Sequence, residues 1–145
     1  MAPDELETVV RIWCRSRERA QPWLEVRMGY TEADSLSHFR EVVAVENEVW
    51  VAVADDAPVG LVALRAGFID QLYVDPDAQG AGVGSALLDH AKRANPAGLA
   101  LFTHQANTGA RRFYERRGLR AVAFGVSPSP ECEPDVRYAW EPGRS

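Results

Sequence analysis

Cysteine is scarce in this chain: Cys14 and Cys132 are the only two. They form neither a CxxC pair nor the framework of a disulfide-stapled domain, which predicts a reduced, cytoplasmic setting. Long hydrophobic runs are missing too. No apolar stretch approaches the roughly 18 residues of a membrane span, and the acidic opening Met1-Ala2-Pro3-Asp4-Glu5 is unlike a secretory leader. No membrane partner is therefore expected. Runs of basic residues are also lacking, and with a net charge of −5 nucleic acid is not expected as a partner. No metal is expected either. What is present is ordinary for a globular chain: 145 residues, 46% apolar and 26% charged, which predicts one domain over residues 1–145 with a single sizeable core.

One stretch stands apart from this background. Leu72-Tyr73-Val74 is apolar and β-prone, Asp75-Pro76-Asp77-Ala78 is a polar turn, and Gln79-Gly80-Ala81-Gly82-Val83-Gly84 carries three glycines at alternate positions. A helical sequence, Ser85-Ala86-Leu87-Leu88-Asp89-His90-Ala91, follows at once. Strand, glycine-rich loop and helix in that order make an anion site. Glycine admits positive φ and close approach of a ligand, and the first helical N–H groups lack partners within the helix. A phosphate or pyrophosphate is the expected guest. Two common phosphate loops are excluded by what this one lacks. A P-loop needs Lys and Ser/Thr after its last glycine, where this chain has Ser85-Ala86. A dinucleotide fingerprint needs a further glycine at Ser85 or Leu87.

A second segment, Asn107-Thr108-Gly109-Ala110-Arg111-Arg112-Phe113-Tyr114-Glu115-Arg116-Arg117-Gly118-Leu119, follows the apolar run Leu99 to Phe102. Asn107 suits an N-cap and Gly118 a C′ position, with arginines in the last turns. A capped helix does not account for the Phe113-Tyr114 pair at this distance after a Gln-x-x-Gly-x-Gly loop. The two segments, about 25 residues apart, together resemble the coenzyme A loop and the later motif of the GNAT N-acyltransferases. The resemblance covers roughly residues 45–126. It implies an α/β (α+β) fold, a mixed and mostly antiparallel central sheet flanked by helices.

Along the chain, Asp4 with Glu7 reads as a helix start, and Leu6, Val9, Val10 and Trp13 form one face up to a stop at Pro22. Thr31 with Asp34 reads as a second cap, followed by the stripe Leu36, Phe39, Val42 and Val43. Glu48 to Ala54, Val59 to Arg65 and Phe68 to Val74 read as a three-stranded meander. A helix is expected from about Gly82 to Ala94, a strand from Leu99 to Gln105, a helix from Asn107 to Arg117, and a closing antiparallel pair, Arg120 to Gly125 with Val136 to Trp140. Members of the family usually open with a strand, whereas this chain opens on a helix cap, so the first edge strand is either absent or lost to a late start. An open edge admits pairing between copies and hence a homodimer.

The resemblance implies an acetyl-CoA-dependent N-acetyltransferase. Its cofactor-binding residues would be Leu72, Tyr73 and Val74, the loop Gln79, Gly80, Ala81, Gly82, Val83, Gly84 and Ser85, and Asn107. A family bulge within Leu72 to Val74 would free a backbone N–H for the thioester oxygen. Tyr114 would be the general acid toward the coenzyme A thiolate: a phenol of ordinary pKa ~10 suits a thiol of pKa ~8.5. The base is left open. Strand alternation places Asp70 on the face of Leu72 and Val74; His104 ends the next strand; a water relay needs neither. The acceptor site would be built from the first two helices, their connection Trp23 to Thr31, and the acidic loop Ser127 to Pro134, with Trp23 and Trp50 as wall candidates. A small-molecule primary amine or amino acid is the expected acceptor. A protein lysine or N-terminus is the alternative within the enzymes, and a non-catalytic acyl-CoA-binding module lies outside them.

Overall fold

The computed structural model describes residues 5–129 and 131–143, so the Asp4 cap lies outside the described residues. The helix α1 (Leu6–Ala20) buries Val9, Val10, Ile12 and Trp13, the face its spacing predicts. α1 stops at Ala20, just short of Pro22, as expected, but Pro22 also opens another helix. It occupies the first turn of a second helix, α2 (Pro22–Met28), where its missing N–H costs nothing, and Gly29 closes that helix at φ 66°. Part of the expected connection Trp23 to Thr31 is therefore helical. Thr31 and Asp34 form a reciprocal capping box at the start of α3 (Glu32–His38), which runs through a π-helical turn (Phe39–Val43) into α4 (Ala44–Glu46).

A six-stranded sheet follows in the order β1-β2-β3-β4-β6-β5, comprising β1 (Glu48–Ala54), β2 (Ala57–Arg65), β3 (Phe68–Val74), β4 (Leu99–His104), β5 (Arg120–Val126) and β6 (Pro134–Trp140). Only the β3–β4 pair is parallel. Among the described residues no strand precedes α1, and β1 forms one edge of the sheet.

Two helical layers cover opposite faces. On one, Leu61 and Ala63 of β2 meet Val9, Trp13 and Phe39. On the other, Val62 and Leu64 meet Leu87, Leu88 and Ala91 of α5 (Val83–Ala94), together with Tyr114 of α6 (Thr108–Arg116). Buried on both faces, β2 reads as continuous apolar sequence without alternation.

The register of β3 decides where its side chains point. Leu72, Tyr73 and Val74 pair regularly with Val62, Leu61 and Gly60, so the expected bulge is not there. It lies upstream, where Ala63 faces Gln71 while Leu64 faces Ile69, leaving Asp70 as the extra residue. An inserted residue reverses the alternation. Ile69, not Asp70, thus shares the α5-facing core with Leu72 and Val74.

Candidate active site

β3 and β4 pair only at Phe68–Ala100 and Ile69–Leu101, then part. The opening between them continues between the N-terminal ends of α5 and α6 as a cleft of about 890 Å³. Leu72, Tyr73, Val74, Gln79, Gly80, Gly82, Val83, Gly84, Ser85, Asn107 and Tyr114 all line it; Ala81, Asp70 and His104 do not.

The loop end is built for an anion. Arg15 of α1 holds Asp75 at 3.2 Å and Asp77 at 2.7 Å, and the Ser16 hydroxyl donates to the Val74 carbonyl at 2.7 Å, fixing the approach to the glycines. Gly80 and Gly82 adopt φ of 87° and 82°. The first intrahelical bond of α5 runs from the Ala86 N–H to the Gly82 carbonyl, so the N–H groups of Val83, Gly84 and Ser85, residues that line the cleft, have no intrahelical partner. Gly84 serves another purpose. A Cβ there would stand 2.9 Å from Cε1 of Phe113, so glycine lets α5 and α6 touch.

Sequence reasoning missed the cations of this cleft. Arg19, Arg116 and Arg117 line it. Arg117 lies 4.0 Å over the Phe113 ring and donates to the Ser85 hydroxyl at 2.7 Å, which brings positive charge to the start of α5. Its place after the Phe-Tyr pair was the available signal. Asn107 caps α6 by accepting from the Ala110 N–H at 3.2 Å, so it shapes the cleft through the helix it starts.

Tyr114 is 7% exposed, with its ring 5.3 Å from that of Phe113 and 5.9 Å from that of Tyr138. Burial, and secondarily Tyr73, push its phenol well above the ordinary tyrosine range, so it stays protonated.

The two carboxylate and imidazole candidates have different surroundings. Asp70 accepts from the Asn47 amide at 2.9 Å, and Asn47 also donates to the Val43 carbonyl, so Asp70 ties β3 to the end of α4 away from the cleft. This corrects its placement: the bulge carries it off the Leu72–Val74 face. We expect Asp70→Asn to leave the acid limb of kcat/KM intact; its loss in a pH–rate profile would return Asp70 to the chemistry. His104 ends β4 with Nδ1 3.0 Å from the Gln21 side-chain oxygen and Nε2 3.2 Å from Glu131. Arg27 holds the residues before Pro134 in place: it bonds the Glu131 carbonyl and the Glu133 carboxylate, each at 2.6 Å. Trp50 is no part of an acceptor wall, because it packs on His90 of α5, ring centroids 4.4 Å apart.

A sequence profile of the acetyltransferase (GNAT) domain matches residues 46–120, the segment holding the cleft's strand, loop and both helices. The chain belongs to the GNAT acetyltransferase family. The peptidyl-lysine N-acetyltransferase YjaB of Salmonella typhimurium is 34% identical over 120 residues, covering 82% of this chain and 79% of that protein. The solution structure of apo-form YjaB from Escherichia coli aligns with a TM-score of 0.75 at 30% identity, over 94% of this chain and 91% of that one. The PaiA N-acetyltransferase from Thermoplasma acidophilum, solved in complex with coenzyme A, shares the fold at 18% identity with a TM-score of 0.67, over 97% and 95% of the two chains. This GNAT protein is accordingly an acyltransferase enzyme, which sets aside the reading as a non-catalytic module.

Proposed function

We propose that the cleft binds acetyl-CoA and that the acetyl group passes to the side-chain amine of a lysine in a protein or peptide. The observation that carries the first half is the start of α5: three unpaired N–H groups, two positive-φ glycines and the Arg117 guanidinium converge on one end of the cleft. That set fits a pyrophosphate, whose charge the helix terminus and the arginines stabilise. For the second half, the support is the lysine specificity in the names of relatives at 34% identity. This favours peptidyl lysine over the small-molecule amine expected from sequence.

Bound here, acetyl-CoA supplies a thioester carbonyl open to an amine and a thiolate that must be protonated. The residues divide the work. The edge of β3 past Ile69 no longer pairs with β4, so N–H groups on that edge within Leu72 to Val74 are left to donate to a carbonyl oxygen, while the Val74 carbonyl is taken by Ser16. Tyr114 holds a proton on its buried phenol for the leaving sulfur.

Two measurements test this. Calorimetry with acetyl-CoA should show binding, and Arg117→Ala should weaken it about tenfold, the loss of roughly one charge-assisted contact. Labelled acetyl-CoA offered with a lysine peptide library and, separately, a panel of small amines should label peptides. Labelling of small amines alone would overturn the lysine acceptor.

A further inference from the structure

Behind the cleft, between two segments that line it, sits a polar group that the reaction as described does not use. Gln21 directly follows the cleft residue Ala20, and His104 shortly precedes Ala106 and Asn107. Glu131 comes from the loop pinned by Arg27. His104 is clamped between them: Nδ1 against the Gln21 oxygen at 3.0 Å, Nε2 against Glu131 Oε2 at 3.2 Å. Both neighbours are acceptors, so this arrangement suits a ring carrying a proton on each nitrogen. The second carboxylate oxygen, Oε1, lies 3.4 Å from the Tyr30 hydroxyl.

We propose that Glu131 and His104 act as one proton-accepting unit for the lysine amine, with Gln21 as the positioning residue that keeps Nε2 turned toward Glu131. This rests on the lysine-acetyltransferase reading above. When the unit has lost its shared proton, Nε2 and Oε2 present two lone pairs about one hydrogen-bond length apart, with no donor between them. An ammonium is the complement of that pair. Its N–H bond breaks with the electrons left on nitrogen, the proton takes the position between Oε2 and Nε2, and the neutral amine is free to attack. The proton later leaves to solvent, and Tyr114 separately supplies the proton of the thiol.

The surroundings suit this use. Arg17 faces the unit from α1 but is paired with Glu25 of α2 at 3.1 Å, and Tyr30 and Tyr73 complete the wall. Arg27 is taken up by Glu133. The hydrogen bond from His104 is the main influence holding the Glu131 carboxyl below the usual carboxylate range, so Glu131 is an ionised acceptor. Tyr73 lines the cleft, and its phenol is raised chiefly by burial, with the charge of Glu131 a smaller contribution.

The test uses the full chain, saturating acetyl-CoA, and two peptides that differ only in the acceptor: lysine, or an aminooxy side chain that is already neutral at pH 7. For Glu131→Gln and His104→Gln we expect kcat/KM at pH 7 to fall about 10²-fold with the lysine peptide. The deficit should shrink as pH rises toward the ordinary amine pKa of ~10.4, and the aminooxy peptide should react at near wild-type rate. Calorimetric affinity for coenzyme A should not change. A readout free of turnover is the imidazole ¹⁵N signal of His104, assigned by its loss in His104→Gln. In the complex with coenzyme A it should move on addition of lysine peptide to wild type and stay still in Glu131→Gln. An equal, pH-independent deficit with both peptides would make the pair merely structural, and unchanged kcat/KM in both variants would also overturn the proposal. Should Glu131→Gln misfold, His104→Gln decides alone. If wild type acetylates only small amines, the lysine reading fails, and the same pH comparison on such an amine still tests the unit.

Discussion

Tyr114→Phe is expected to lower kcat by roughly 10²–10⁴-fold, the range for removing a positioned proton donor, with little change in acetyl-CoA affinity. The phenylalanine keeps the ring against Phe113 and Tyr138, so melting temperature and cleft shape should stay close to wild type. Burial makes the phenol a weaker free acid but keeps its proton in place until an anion stands beside it. The pH dependence follows with a definite sign. A donor acts while protonated, and this one is raised above the ordinary tyrosine value, so Tyr114 should produce no basic limb in kcat below about pH 10. A variant within threefold of wild type, by stopped assays across pH, would place the proton donor elsewhere.

The second large effect is expected from Gly82→Asp, which should weaken acetyl-CoA binding by at least ~10²-fold, about 2.7 kcal/mol, while the protein stays folded. A Cβ at Gly82 meets nothing within 4 Å, and although the left-handed conformation strains any side chain, aspartate bears it better than most residues. The new carboxylate would lie where the helix terminus gathers positive potential, and would repel the pyrophosphate. Gly82→Asn, similar in shape but uncharged, should retain most of the affinity, which isolates the charge. Gly84→Asp behaves differently. Its Cβ would press on Phe113 at 2.9 Å, so a drop in melting temperature accompanies any loss of binding. Calorimetry paired with thermal melts separates the two glycines; wild-type affinity in Gly82→Asp would mean that the phosphates bind elsewhere.

Those two glycines also show what sequence carries and what it does not. Alternating glycines after a strand announce an anion loop, and the loop sits where its spacing says, with Asn107 and Gly118 bounding α6 as caps do. The meander, both cleft helices and the closing strand pair follow local patterns of the same kind. Asp70 was misplaced because alternation counts residues without knowing of an insertion. The bulge is set by how β3 meets β2, a contact between distant segments. Pro22 follows the end of α1 as read, but the residue that stops one helix also begins another, and α2 was not foreseen. The Glu131–His104 pair joins residues 27 positions apart through a loop that Arg27 secures. Only the composition of that loop hinted at its place. Arg117 was visible as a charge near a helix end, but its reach to Ser85 depends on how α5 and α6 pack.

The strand order bears on how the protein is made. β4 touches β3 through two residue pairs, while six pairs join it to β6, the last of the described strands. During synthesis β4 and α6 therefore emerge well before the neighbour that will hold them, and β5 leaves the ribosome before the strand that must slide between it and β4. Such non-local pairing slows folding. One half of the cleft thus waits on β6: the glycine loop can form early on its meander, but Tyr114 gains its fixed place only once Tyr138 has arrived beneath it.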